Sequence, residues 1–208
     1  MTAGNNLLTW DVPAVTHLFD TVRAYLINLE SRHDRWEQSK HLPFIIERFP
    51  ATAHEHGWKG LNLTMHDLFT TKFTGQPMLV FEDDAQMVRD KIHFDLALEN
   101  LPEDFDMLML GANIKDKVER VSEHICRVRG AWTTHAVYYS PKIIQHLIEI
   151  LPTLDTVIDE YFRTTIHPQG NSYVVRPMVC YQRPSYSDLM QADQDYTGLF
   201  ETSNSMLF

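Results

Sequence analysis

The sequence predicts an α/β domain with a mainly parallel central sheet flanked by helices. Short apolar runs alternate along the chain with segments of helical spacing, the order typical of a parallel sheet with helical connections. The most apolar run, Met78 to Phe81, lacks the alternation of a half-exposed strand and indicates a strand buried on both faces. The 208 residues suffice for one domain with a substantial core. We expect an extension at 1–21, the domain at 22–190 and a tail at 191–208.

Elements in the first half follow from periodicity and from residues that begin or end helices. The sequence predicts strands over Val22 to Leu29, Phe44 to Phe49 and Met78 to Phe81. Ser31 is a predicted N-cap for a helix to about Leu42, and Gly57 and Gly60 indicate a loop. Further helices are predicted over Leu61 to Phe73 and Lys91 to Asn100.

The second half continues the alternation. Strands are predicted over Asp106 to Leu110, His135 to Tyr139 and, with an interruption at Arg176-Pro177, Tyr173 to Tyr181. Ser140-Pro141 predicts the start of a helix that ends near Leu151, because proline is favoured at the first helical position. Asp155 to Ile166 is predicted to be helical, whereas Ile114 to Val128 has no clear pattern.

Charge and composition argue against several classes of partner. With 18 Lys and Arg against 28 Asp and Glu, the net charge is −10, which opposes non-specific binding to nucleic acid or anionic membranes. No apolar stretch approaches the roughly 20 residues of a membrane span, and no signal pattern opens the chain. We therefore expect a cytoplasmic protein. Cys126 and Cys180 have no metal-ligand spacing and are expected to be free thiols.

Three acids, Glu82, Asp83 and Asp84, directly follow the most apolar strand. They fall at its carboxyl end, where open α/β sheets bind their ligands. Crowded carboxylates repel one another, and their oxygens suit a hard cation such as Mg²⁺ or Mn²⁺, which in turn could hold a diphosphate. Because side chains alternate along an extended chain, Glu82 and Asp84 are predicted to point the same way and Asp83 the opposite way. The alternative is a solvated acidic turn.

Other residues at strand ends extend this hypothesis. Asn28 and Leu29 end the first strand, and Arg32 and Arg35 are three apart at the start of the predicted helix. A pair of guanidinium groups on one helical face suits a phosphate or a nucleobase edge, although two solvated arginines are the alternative. No GxGxxG, P-loop, GxSxG or HExxH motif is present, which leaves a sheet-edge site built from acids and a few basic residues.

Several separated pieces of the chain, in order, resemble glycosyltransferase family 25, the lipooligosaccharide and procollagen galactosyltransferases. The resemblance covers roughly residues 22 to 190 and implies a GT-A-like fold, a nucleotide-sugar donor, a divalent cation and inverting transfer. The matching pieces are Tyr25 to Arg35, Phe49-Pro50-Ala51 with Thr64-Met65-His66, Val80 to Ala85, Asp106 to Gly111, Thr134 to Ser140, Val157 to Glu160 and Ser187-Asp188-Leu189.

With this resemblance, each candidate residue receives a predicted role. Glu82 and Asp84 would hold Mn²⁺ or Mg²⁺, which would stabilise the departing nucleoside diphosphate. The candidates for the general base that inverting transfer requires are Asp159, Asp188 and Glu160, and Asp188 could instead be a third metal ligand. The predicted donor-binding residues are Asn28, Leu29, Arg32, Arg35, His66 and Asp83. Sugar-stacking candidates, with core packing as the alternative, are Tyr181, Tyr186 and Tyr196.

The predicted function is metal-dependent, inverting transfer of a hexose, galactose or glucose, from a UDP-sugar to a hydroxyl of a glycan or a hydroxylated side chain. One alternative acceptor is a hydroxylated DNA base, which the acidic charge disfavours. Another alternative is a degenerate, non-catalytic module that binds sugar or protein. A metal-dependent phosphotransferase or nucleotidyltransferase fits the acids alone but leaves the other matching pieces unexplained.

Overall fold

The computed structural model describes residues 22–187 and 192–208. The predicted N-terminal extension at 1–21 and the candidate base Asp188 therefore lie outside the described residues.

Strands and helices alternate through the described part of the chain. The strands are β1 Ala24–Asn28, β2 Ile46–Pro50, β3 Met78–Glu82, β4 Ala85–Met87, β5 Met107–Met109, β6 Asn113–Ile114, β7 Val118–Arg120, β8 Ile125–Val128, β9 Ala131–Trp132, β10 Ala136–Tyr139, β11 Ser172–Val175, β12 Cys180–Gln182, β13 Ser185–Ser187 and β14 Ala192–Gln194. The helices are α1 His33–Ser39, α2 Gly57–Lys72, α3 Ile92–Glu99, α4 Pro141–Ile150, α5 Ile158–Tyr161 and α6 Thr197–Ser205.

Among the described residues, a large mixed sheet of eight strands forms the centre of the fold, in the order β2-β1-β3-β10-β5-β11-β8-β7. Only β10 and β8 run against the other six strands of this sheet. Helices cover the sheet on both faces, since two buried clusters lie on opposite sides of it. The predicted fold class, α/β with a mainly parallel central sheet flanked by helices, is confirmed.

Alternation along β1 shows why its sequence is apolar from Ala24 to Ile27. Tyr25 and Ile27 belong to the cluster beneath α2 and α4, whereas Ala24 and Leu26 belong to the cluster beneath α3. A strand covered on both faces has no face exposed to solvent, so its sequence does not alternate between apolar and polar residues. The same reasoning applies to β3, where Met78 to Phe81 are all buried.

Three local predictions were wrong. The N-cap of the first helix is Arg32 rather than the predicted Ser31. The helix itself, His33–Ser39, is shorter than predicted. Gly57 and Gly60 belong to the first turns of α2 rather than to a loop. At Gly60 an added Cβ would lie 2.6 Å from the carbonyl oxygen of Thr52, so the glycine serves close packing rather than a turn.

Other boundaries follow the sequence more closely. The Ser140 side chain accepts a hydrogen bond from the Ile143 backbone N–H, and proline occupies the first helical position. The predicted start of this helix is therefore confirmed. The segment predicted as one helix over 155–166 begins only at Ile158, and its second half, Phe162–Ile166, widens to a π-helix. The unassigned segment 114–128 contains the β7–β8 pair.

The topology gathers several strand ends at one edge. Asn28 ends β1 and Glu82 ends its parallel neighbour β3, while Thr134 and His135 precede the antiparallel β10 that pairs with β3. These residues therefore meet at the same edge of the sheet. In the part of the chain that the structure describes, no helix is long and apolar enough to cross a membrane.

Candidate functional site at the carboxyl edge of the sheet

Glu82 is the last residue of β3 and is held from the strand beside it. Its backbone N–H donates to the carbonyl oxygen of His135 at 2.9 Å. The Thr134 hydroxyl donates to Oε1 of the Glu82 carboxyl group at 2.6 Å. This contact fixes one carboxyl oxygen of Glu82, and Oε2 has no such contact with Thr134.

The carboxylate of Asp83 is hydrogen-bonded within the protein. Asn28 Nδ2 donates to Oδ2 of Asp83 at 2.6 Å, and Arg35 Nη1 donates to Oδ1 at 2.6 Å. All three residues are buried. Asp83 therefore ties the end of β3 to β1 and α1, and none of its carboxylate oxygens is left unpaired.

Asp84 begins the turn into β4 and lies beside the segment that follows β12. Its backbone carbonyl accepts from the Arg183 N–H at 2.7 Å, and Gln182 Nε2 lies 3.5 Å from Oδ2. Asp84 Oδ1 is fully buried and has no hydrogen-bond partner, and the same is true of Gln182 Oε1. A buried oxygen without a partner is costly, so these two oxygens are candidates for contact with a ligand.

Burial raises the pKa of both Glu82 and Asp84. Burial, followed by the neighbouring charge of Asp84, raises the pKa of Glu82. Burial also raises the pKa of Asp84, and the nearby Arg35 opposes that rise. Two desolvated carboxyl groups close together favour either a bound proton or a cation.

The oxygen set fits a hard divalent cation. Glu82 and Asp84 supply two carboxylates, and Mg²⁺ is commonly bound by one or two carboxylates together with substrate phosphates and water. Within residues 22–187 and 192–208, no group of three His, Cys, Asp or Glu side chains is placed to hold a metal ion. A cation here would therefore draw its remaining ligands from a bound phosphate, from water or from neutral oxygens such as Gln182 Oε1.

Asp159 joins this acidic group from α5. Its charge raises the pKa of Glu82, which places the two carboxyl groups in electrostatic contact. Burial raises the pKa of Asp159 itself, while the nearby backbone of Glu160 and Thr133 opposes that rise. A carboxyl group with a raised pKa is suited to accept a proton near neutral pH.

Glu160, the neighbouring candidate, is placed differently. Its two carboxylate oxygens accept from Arg163 at 2.6 and 2.8 Å and from Trp132 Nε1 at 2.9 Å. The hydrogen bonds from Arg163 lower the pKa of Glu160 to about 2. An ion-paired carboxylate of such low basicity is a poor general base, so the geometry favours Asp159.

The predicted donor-binding residues divide into two groups. Asn28 and Arg35 lie at the site, but both are engaged by Asp83, and Arg35 also donates to Ser185 Oγ at 2.9 Å. Arg32 precedes the first turn of α1 and forms a bidentate pair with Asp34, at 3.0 and 3.1 Å. The common helical face predicted for Arg32 and Arg35 is therefore not formed.

Leu29 and His66 show no side-chain contact with the acids. The Leu29 carbonyl oxygen accepts from the Arg32 N–H at 2.9 Å, just beyond the end of β1. His66 lies on α2, where its ring contacts Asp67 and Thr70 of the same helix. Its placement fits a helix-surface residue.

Several residues at the site were not predicted from the sequence. Thr134 contacts Glu82 across 52 positions, and Arg183 Nη2 donates to the Asp83 carbonyl across 100 positions at 2.8 Å. Burial raises the pKa of Tyr196, and the charges of Asp84 and Asp159 add to that rise. Of the other stacking candidates, Tyr181 is buried against Phe200, and Tyr186 is exposed.

The described residues thus form an α/β protein with a carboxylate site at the carboxyl edge of its sheet. No protein-family model matches the chain, and no curated protein matches its sequence. The chain is similar at 11% identity to the crystal structure of A197 from STIV, with a TM-score of 0.42, over 79% of this chain and 86% of that one.

Two further solved structures are similar to the chain, each at 11% identity. The mannose-1-phosphate geranyltransferase from Thermus thermophilus matches with a TM-score of 0.38 over 73% of this chain and 58% of that one. HddC from Yersinia pseudotuberculosis matches with a TM-score of 0.39 over 74% of this chain and 70% of that one. The match to the Thermus protein thus covers less than two thirds of its length. The resemblance to glycosyltransferase family 25 stays a prediction.

Proposed function

We propose that this protein is a transferase that uses a nucleotide sugar, and specifically a glycosyltransferase of the family 25 type that moves a hexose from a UDP-sugar to an acceptor hydroxyl. One observation supports this function above the others. Glu82 and Asp84 are desolvated carboxyl groups at the carboxyl end of β3, with Asp84 Oδ1 buried and unpartnered beside them.

Glu82 and Asp84 are the residues that would hold Mn²⁺ or Mg²⁺. When bound, such a cation supplies positive charge that offsets the negative charge of the diphosphate and stabilises UDP as the leaving group. The two metal ligands are supported by the residue between them. Hydrogen bonds from Asn28 and Arg35 to Asp83 fix the backbone between Glu82 and Asp84. Outer contacts of this kind orient metal ligands.

Asp159 is the residue that we assign as general base. A carboxylate oxygen of Asp159 takes the proton of the acceptor hydroxyl, and the acceptor oxygen then bonds to the anomeric carbon as the bond to UDP breaks. Transfer in one displacement inverts the anomeric centre, whereas retention through a covalent intermediate would need a carboxylate placed as nucleophile. The prediction is therefore a β-linked product from an α-linked donor.

A thermal-shift screen tests the donor. UDP-, GDP- and CMP-sugars are added to the full chain with and without Mn²⁺, and a ligand at 100 times its Kd stabilises the folded state by about 2.7 kcal/mol. We expect the largest shift with a UDP-hexose and Mn²⁺ together. If no nucleotide sugar shifts the melting temperature under either condition, the donor assignment is wrong.

Product analysis separates glycosyl transfer from nucleotidyl transfer, which the acids alone also fit. Glycosyl transfer or donor hydrolysis releases UDP, whereas nucleotidyl transfer from UTP to a sugar phosphate releases pyrophosphate. Asp84→Ala should abolish the metal-dependent release of UDP. Unchanged release in that variant would remove Asp84 from the site.

A further inference from the structure

Thr133, between β9 and β10, has an unusual backbone and an unsatisfied side chain. Its φ of 86° makes it the one non-glycine residue with a left-handed backbone among those that the structure describes. A β-branched residue is strongly disfavoured there, because its Cβ crowds the backbone. The Thr133 hydroxyl is also buried without a hydrogen-bond partner. A glycine would avoid both costs, so the choice of threonine calls for a reason.

The residues on either side of Thr133 are both held in place. Trp132 Nε1 donates to Glu160 at 2.9 Å, and Lys115 Nζ lies 4.7 Å from the centroid of the Trp132 ring. Thr134 donates its hydroxyl to Glu82 at 2.6 Å. Because both neighbours are fixed, the backbone of Thr133 must connect them in a conformation that it would not adopt alone. Strain of this kind persists where the surroundings determine the conformation, and it is common at functional sites.

The two residues that flank Thr133 thereby each donate one hydrogen bond to a different acid. Trp132 donates to Glu160 and Thr134 donates to Glu82, while the backbone of Thr133 lies beside Asp159 and opposes the rise in its pKa. Glu160 and Asp159 are neighbours on α5, whereas Glu82 ends β3. The segment 132–134 therefore joins α5 to the strand that carries the acidic run.

We infer that Thr133 is a positioning residue that holds the Asp159 carboxylate at a fixed place relative to Glu82. This inference rests on the proposed function, in which Asp159 accepts a proton from the acceptor hydroxyl while Glu82 lies on the donor side. Glycosyl transfer requires both acids at once, because the acceptor oxygen must meet the anomeric carbon in a narrow range of positions. Hydrolysis of the donor by water imposes a weaker demand on Asp159.

Thr133→Gly tests the role, because it keeps the backbone N–H and permits the positive φ but removes the rigidity of the β-branched residue. We expect transfer to an acceptor to fall at least about tenfold in kcat, with metal-dependent donor hydrolysis within about twofold of the native value. Thr133→Val keeps the β-branched side chain without the unpartnered hydroxyl and should recover most of the transfer. Full transfer activity in Thr133→Gly would overturn the inference.

A second measurement does not depend on activity. A double-mutant cycle combines Thr133→Gly with Asp159→Ala and follows the melting temperature of the full chain. If the Asp159 carboxylate and the Thr133 backbone hold each other, the shift caused by Thr133→Gly should differ between the two backgrounds by at least about 2 °C. Equal shifts in both backgrounds would overturn the inference.

The two experiments separate the possible failures. If the native chain neither binds nor hydrolyses a UDP-hexose, the proposed function is wrong, and the cycle alone decides whether Thr133 positions Asp159. If the native chain transfers a hexose but Thr133→Gly does so equally well, the proposed function stands and Thr133 has no positioning role.

Discussion

Arg35 and Asp83 form a buried ion pair, with Nη1 of the arginine 2.6 Å from Oδ1 of the aspartate. The pair connects α1 to the acidic run, and Arg35 continues to Ser185 Oγ in β13 at 2.9 Å. The middle acid of the run is thereby used inside the protein, and only Glu82 and Asp84 are left to bind a ligand. One ion pair thus holds together three segments that are distant in sequence.

Arg35→Met should destabilise the fold strongly. Removing the guanidinium leaves the Asp83 carboxylate buried and uncompensated, and breaking a buried pair in this way costs about 3–5 kcal/mol. Urea denaturation of the native and variant chains measures the difference in the free energy of unfolding.

Lys40→Met provides the control for this prediction. Lys40 pairs with Glu37 on the exposed side of the chain, where an ion pair is worth at most about 1 kcal/mol. If Arg35→Met proves no more destabilising than Lys40→Met, the Arg35–Asp83 pair does not hold the site together.

The folded state should lose stability as the pH rises and gain stability from a divalent cation. The pKa values of Glu82 and Asp84 are raised in the folded chain, so the folded state keeps protons that the unfolded state loses above about pH 4. The free energy of unfolding therefore falls as the pH rises from that point towards the raised pKa values. A cation replaces the protons, and its stabilising effect should grow over the same interval.

Melting temperatures at about pH 5 and about pH 7.5, with and without Mn²⁺, measure this linkage. We expect the shift caused by Mn²⁺ to be larger at the higher pH. Glu82→Gln should raise the melting temperature of the metal-free chain at the higher pH and remove most of the response to Mn²⁺. A response to Mn²⁺ that is equal at both pH values, or larger in acid, would contradict the assignment of Glu82 as a ligand.

Two adjacent acids offer a matched test of the general base. Asp159→Asn should lower kcat for transfer by about 10²–10⁴, the usual contribution of general base catalysis, because an amide does not accept the proton. Glu160→Gln should change kcat far less, since Glu160 is already paired with Arg163 and Trp132. Initial rates with saturating donor compare the two variants. Equal losses would point to a structural role of the α5 segment.

Local signals account for the features that the sequence predicted correctly. Met78 to Phe81 is apolar because β3 is covered on both faces, and its carboxyl end lies at an edge of the sheet. That Asp83 points away from its neighbours stays a prediction, and the contacts that the structure shows for its carboxylate are with Asn28 and Arg35. Information of this kind lies within a few residues of the motif.

The direction of a strand and the contacts between residues distant in sequence could not be predicted from local patterns. Ala136 to Tyr139 is as apolar as the strands beside it, so nothing in its pattern shows that β10 runs antiparallel between β3 and β5. Arg183 reaches Asp83 across 100 positions, which no local pattern predicts. The strained φ of Thr133 depends on contacts made by Trp132 and Thr134, so a sequence that shows only Trp-Thr-Thr does not reveal it.

Thr134→Val should weaken cation binding while it preserves the shape of the side chain. The Thr134 hydroxyl opposes the rise in the pKa of Glu82, so its loss should raise that pKa further and leave less of the carboxylate form at a given pH. Loss of an outer contact to a metal ligand typically costs about 10–100-fold in affinity. Calorimetric titration with Mn²⁺ measures the change, and Thr134→Ser, which keeps the hydroxyl, should bind within a few-fold of the native chain. If Thr134→Val binds Mn²⁺ as tightly as Thr134→Ser does, the cation is not held through Glu82, and the acids at the end of β3 would need a different role.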